Sequence, residues 1–68
     1  MNKMKLARLL LGMSLDDLFL KTKIPQSRLS RIEREIILPK DEEKKLISKE
    51  LNLNIEELFE KVRINFKG

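Results

Sequence analysis

One short pattern occurs twice in this chain, and each copy directs the backbone into a helix. Met13-Ser14-Leu15-Asp16-Asp17-Leu18 is the first copy and Leu53-Asn54-Ile55-Glu56-Glu57-Leu58 the second. Ser14 and Asn54 each carry a side-chain oxygen able to accept from the amide three residues on. The acid at that third position can answer the cap's own amide and favours the positive end of the helix dipole. The apolar pairs Met13 with Leu18 and Leu53 with Leu58 flank these caps as hydrophobic staples.

Other helices follow from the residues between and around the two caps. Residues 3–11 are strong helix formers stopped by Gly12. A second helix runs from Leu15 to about Thr22. Pro25 fits the first turn of a third, 25–34, where proline's missing amide is not needed. Pro39 does the same for a fourth. Asp41, Glu42 and Glu43 load its start and Lys44, Lys45 and Lys49 its later turns, matching the dipole, and it ends near Leu51-Asn52. The fifth runs from Ile55 to about Lys61. After it, Val62-Arg63-Ile64-Asn65-Phe66-Lys67 alternates apolar and polar residues, the period of a strand. Six residues make no sheet alone, so this tail either pairs with a second copy or packs on the first helix.

The 68 residues hold one small domain, whose core is thin because a chain this short buries only about 60% of its unfolded surface. The chain contains neither Cys nor His. Disulfides, thiolate metal sites and Ser-His or Cys-His nucleophile pairs are therefore excluded, and an enzyme is not expected. The acidic clusters Asp16-Asp17, Asp41-Glu42-Glu43 and Glu56-Glu57 sit at helix starts, where the dipole accounts for them. No cofactor, metal or small-molecule ligand is expected. With no apolar run approaching a membrane span and no leader pattern, the cytoplasm is the expected location.

The net charge of +4 is uneven. Residues 1–40 hold nine Lys or Arg (3, 5, 8, 21, 23, 28, 31, 34, 40) against acids at 16, 17, 33 and 35, while the remainder is near neutral. A basic front half suits an anionic partner. Residues 14–34 read as helix, short turn, helix, with Leu18, Ile24, Leu29 and Ile32 placed to lock the two together. Leu29 and Ile32 face inward with Glu33 beside them. Gln26, Ser27, Arg28 and Arg31 are left on or near the open face. These side chains suit a DNA major groove: Arg can grip guanine O6 and N7, and Gln can pair adenine N6 and N7.

Leu29-Ser30-Arg31-Ile32-Glu33-Arg34, then Pro39, then Leu51-Asn52-Leu53-Asn54-Ile55-Glu56-Glu57-Leu58-Phe59 resemble, in that order and spacing, the phage-repressor and Cro-like (XRE-type) helix-turn-helix DNA-binding family. The resemblance covers about residues 4–59. It implies an all-α fold, a compact five-helix repressor-like DNA-binding domain over residues 3–61 with a C-terminal tail at 62–68. The third helix would be the recognition helix, with Gln26, Ser27, Arg28 and Arg31 at positions matching base contacts. Ser14, Lys21, Lys23, Arg34 and Lys40 would lie along the DNA backbone. Arg8 and Glu33 match a pair that bridges the first and third helices. The implied protein is a sequence-specific regulator of transcription that binds double-stranded DNA as a homodimer. Two other readings stand beside it: a protein-interaction module on the same scaffold, or the DNA-binding antitoxin of a toxin–antitoxin pair.

Several residues depart from the family pattern. Leu15 stands where a phosphate-contacting Gln is common, Phe19 where a small residue is common, and Pro25 where a Ser or Thr cap is usual. Lys23 replaces the turn glycine, so it must adopt a left-handed conformation or the turn must differ. Ile36-Ile37-Leu38 is unusually apolar for a loop and is expected to fold over the fourth helix, with a protein interface as the alternative. On the first helix, Met4, Ala7 and Leu11 are expected to form the buried stripe. The remaining leucines, Leu6 and Leu10 among them, join Val62, Ile64 and Phe66 as the expected dimer surface.

Overall fold

The computed structural model describes residues 2–59, and the expected strand and dimer positions Val62, Ile64 and Phe66 lie outside them. The described residues form five helices and no strand: α1 (Met4–Leu10), α2 (Leu15–Thr22), α3 (Gln26–Glu33), α4 (Asp41–Leu51) and α5 (Ile55–Phe59). The fold is all-α, as the residue pattern indicates.

Both repeated caps act at helix starts. Ser14 Oγ accepts from the Asp17 amide at 3.0 Å and Asp17 Oδ2 accepts from the Ser14 amide at 2.9 Å, a complete capping box. At α5 the reciprocal half is formed, Glu57 Oε1 accepting from the Asn54 amide at 3.1 Å. The two prolines sit earlier than expected, Pro25 by one step and Pro39 by two. Pro25 is the N-cap of α3, extended at ψ 144°, and its carbonyl accepts from the Leu29 amide at 2.9 Å. Pro39 precedes Lys40, the extended N-cap of α4. In each case proline stiffens the approach to the helix and leaves the first helical amides to their neighbours.

One apolar cluster holds the bundle together: Met4 and Ala7 of α1, Leu18 of α2, Ile24 of the turn, Leu29 and Ile32 of α3, Ile47 and Leu51 of α4, and Leu58 of α5. Every helix thus contributes, and α2 packs on both α3 and α4. Phe19 lies half-buried against this cluster, so its ring extends the core instead of prising α2 from α3. Leu11, expected in the buried stripe, is exposed. The reason is that α1 ends at Leu10 and Gly12 turns the chain at φ 68°, so the inward position one turn after Met4 falls to Arg8. The Ile36–Leu38 expectation holds only in its middle: Ile37 packs on the core, whereas Ile36 and Leu38 are exposed.

Arg8 and Glu33 are both buried and meet side by side. Arg8 Nε donates to Glu33 Oε2 at 2.8 Å and Nη2 donates to Oε1 at 3.2 Å. Arg8 Nη1 also donates to the Met13 carbonyl at 2.8 Å. One guanidinium therefore ties α1 to α3 and to the loop that enters α2. Asn2 adds a second tie, accepting from the Met4 amide and donating to the Ile32 carbonyl, each at 3.0 Å. The Lys3 amide donates to the Leu58 carbonyl at 3.1 Å, joining the start of α1 to α5.

Removing either member of the buried pair leaves the other charge without its partner, at a cost of about 3–5 kcal/mol. Arg8→Ala and Glu33→Ala should each lower stability by that order in urea unfolding. The double variant should cost clearly less than their sum; additive losses would mean that the two residues act separately.

Candidate nucleic-acid interface

The turn between α2 and α3 sets how α3 is presented. Thr22, buried at the end of α2, donates from Oγ1 to the Leu18 carbonyl at 2.8 Å and accepts from the Ile24 amide at 3.2 Å. Its hydroxyl thus closes one helix and anchors the first residue beyond the bend. Lys23 between them is left-handed at φ 65°, ψ 12°, the conformation its departure from glycine calls for. A β-carbon in that region costs about 1–2 kcal/mol, which the buried Ile24 and the Thr22 bonds offset.

On α3 the inward face is Leu29, Ile32 and Glu33, all buried. Gln26, Ser27 and Arg31 are exposed and Arg28 is partly exposed. The open face is thus made of the four side chains whose chemistry suits base edges. Two of them already have acidic partners. Gln26 Nε2 donates to Asp16 Oδ1 at 2.8 Å across the mouth of the α2–α3 angle, at the surface. Arg28 donates from Nε to Glu43 Oε2 and from Nη2 to Glu43 Oε1, the second at 2.8 Å. Glu43 Oε1 also accepts from the Lys40 amide at 2.7 Å, so one carboxylate caps α4 and holds an arginine of α3.

The remaining cations flank this face. Lys21, Lys23, Arg34 and Lys40 are exposed, as is Ser14 at the α2 cap. Arg34 turns back along its own helix, Nε donating to the Ser30 carbonyl at 3.4 Å. Leu15 is half-buried against the core and presents no polar atom beside Ser14. Leu6 and Leu10 of α1 are 59% and 78% exposed. No group of three or more acids among the described residues is placed to hold a metal ion. No helix among them is long and apolar enough to cross a membrane.

The sequence pattern alone did not mark Asp16, Thr22 and Glu43 as parts of this face. Asp16 and Glu43 look like dipole complements of their own helices, and only the packing of α2 on both α3 and α4 brings them to Gln26 and Arg28. Thr22 carried a readable signal: a hydroxyl at a helix end, just before a break, is suited to bond both backward and forward.

Hydrogen bonding sets the charge state of the acids here. The Arg28 guanidinium, above all, holds the Glu43 carboxyl below its ordinary value, with the Lys40 amide assisting. The same contact raises Arg28. The Ser14 amide, then its hydroxyl, lowers Asp17. Both carboxylates are favoured in the folded state, so their contribution is present above the ordinary carboxylate range and is lost as pH falls through their lowered values. The urea midpoint should therefore fall as the pH drops below about 4. Glu43→Gln should make that fall shallower, and an unchanged profile would remove Glu43 from the acid response.

A protein-family model described as Helix-turn-helix matches residues 4–58, from the start of α1 into α5. No curated protein matches the chain.

Proposed function

The chain belongs to the XRE/Cro-like helix-turn-helix family of DNA-binding regulators, and from that premise we propose that it is a sequence-specific, repressor-like regulator of transcription acting on double-stranded DNA. The observation that carries this reading is the open face of α3. A helix pinned from behind by Leu29, Ile32 and the Arg8–Glu33 bridge presents Gln26, Ser27, Arg28 and Arg31 outward. A helix of this kind enters the major groove with its N-terminal residues against base edges.

The roles divide by chemistry. Arg31 is exposed and has both ends of its guanidinium available for a guanine edge, while Gln26 can exchange Asp16 for an adenine edge. Lys21, Lys23, Arg34 and Lys40 supply charge along the phosphates, which positions the domain and makes its affinity salt-dependent. The Ser14 cap brings the amide end of α2 toward the backbone, where the helix dipole favours an anion. The functional domain is residues 3–61.

A homodimer fits this use. Two recognition helices about 34 Å apart read successive major grooves, so the preferred site is a rough inverted repeat. The exposed Leu6 and Leu10 of α1 supply the dimer surface, together with the tail residues Val62, Ile64 and Phe66. The exposed Ile36 and Leu38 favour a second reading, a protein-interaction module built on the same scaffold.

Selection from a pool of random duplexes at low salt tests the first reading. An enriched inverted repeat is the expected result; no retained DNA would turn the basic face toward protein partners. Arg31→Ala should cost about 1–3 kcal/mol at one base position, whereas Lys21→Ala should weaken all sequences alike and reduce the salt slope by about one. In sedimentation, Leu6→Asp with Leu10→Asp should shift the chain toward monomer, and an undiminished dimer would place the interface elsewhere.

A further inference from the structure

The contact between Arg28 and Glu43 has an orientation that matters. An arginine carries five N–H donors in a planar fork. Glu43 takes the Nε–Nη2 side of that fork. The other edge, Nη1 with the second hydrogen of Nη2, has no acceptor among the described residues. The side chain remains one-third exposed while that of Glu43 is 13% exposed. The carboxylate is thus the more shielded partner, and the edge of the fork it leaves unpaired belongs to a side chain that is still open to solvent. Glu43 is itself held from behind, since Oε1 accepts the Lys40 amide at the start of α4. The chain of contacts runs from a helix terminus through a fixed carboxylate to a guanidinium on the open face.

We propose that Glu43 is a positioning residue that sets sequence preference: it holds the Arg28 fork with its outer edge ready for the O6 and N7 of one guanine. This inference rests on the DNA-binding reading of α3 and adds to it a residue outside the recognition helix. Two physical effects combine. The ion pair orders a long side chain in the free protein, so that less freedom is lost on binding. The carboxylate also cancels most of the guanidinium's net charge, which weakens its attraction to phosphates at any sequence. A guanine edge still rewards it, because that contact is bidentate and directional. Arg28 thus differs from Arg31, which has no such backing and keeps its full charge for either use.

The full chain tests this with four proteins: wild type, Arg28→Ala, Arg28→Lys and Glu43→Gln. Glutamine retains an oxygen for the Lys40 amide and so keeps the α4 cap while removing the charge. Urea unfolding first establishes that each is folded at the assay temperature. Dissociation constants are then measured at one salt concentration for the best duplex from the random pool, for each single-base-pair change in it, and for a scrambled duplex. Arg28→Ala should lose discrimination at one G·C pair. Glu43→Gln should lose about tenfold or more at the same pair, the scale of one bidentate base contact, while binding the scrambled duplex as tightly as wild type or tighter. Arg28→Lys keeps the charge without the fork and should lose the same preference, which separates the fork from the charge as the group that reads the pair.

Wild-type discrimination retained by Glu43→Gln at every position would overturn the proposal. So would a loss spread evenly over all positions, which is the mark of general loosening, or a sharper preference, which would mean that Glu43 withholds Arg28 from the base. If wild type selects a sequence and Glu43→Gln reads it equally well, the positioning role alone fails. If wild type selects none, the sequence-specific reading of α3 fails with it.

Discussion

The buried bridge between Arg8 and Glu33 is the constraint around which the rest of the molecule is arranged. The nine buried apolar side chains among the described residues make a small core, and giving up two further interior positions to charge is costly. What the bridge supplies in return is direction. A guanidinium with three defined acceptors, two on Glu33 and one on the Met13 carbonyl, fixes the angle and register of α1 against α3 and against the entry to α2. Leucines in the same places would pack in several ways with little difference in energy. The open face of α3 has a defined orientation because its buried face is held by hydrogen bonds as well as by methyl groups.

The same economy appears at the surface of α3. Acids that serve as helix caps or dipole complements on α2 and α4 also reach side chains of the open face of α3: Asp16 reaches Gln26, and Glu43 reaches Arg28. The two contacts differ in kind. The first joins a neutral amide to an exposed carboxylate and exchanges readily with water. The second is a two-pronged ion pair whose acid is largely shielded. The face is therefore graded, with the Arg31 and Ser27 side chains lacking a hydrogen-bond partner among the described residues, Gln26 loosely held and Arg28 firmly held.

Much of this architecture was legible in the residues. The Ser14 and Asn54 caps, the Gly12 stop and the charge gradient of α4 are local signals, and local signals place helices well. The pairing of Arg8 with Glu33 was legible only through resemblance, since nothing in the spacing of two residues 25 apart brings them together. The boundary at Pro25 was off by one and that at Pro39 by two, because proline suits a cap, or the extended residue before it, nearly as well as a first turn, and the choice depends on ψ. The Leu11 assignment failed, and that of Ile36–Leu38 held only at Ile37, for a different reason. In so small a fold the helix ends and a left-handed Glu35 (φ 60°) rotate neighbouring side chains by large angles, and hydrophobicity carries no record of those rotations. The Arg28–Glu43 contact was invisible because it depends on how α2, packed on both α3 and α4, sets the start of α4 beside α3.

The ties that fasten α1 bear on the order in which the chain can assemble. Asn2 reaches the carbonyl of Ile32, Arg8 reaches Glu33, and the Lys3 amide reaches the carbonyl of Leu58. A seven-residue helix is too short to persist alone in water. On the ribosome, where a chain lengthens by about 5–20 residues per second, α1 leaves the tunnel before the four helices it packs among and must wait several seconds for its last acceptor. The first helix of the bundle is completed with the last, and until then its leucines are a sticky, unfinished edge of a nascent chain.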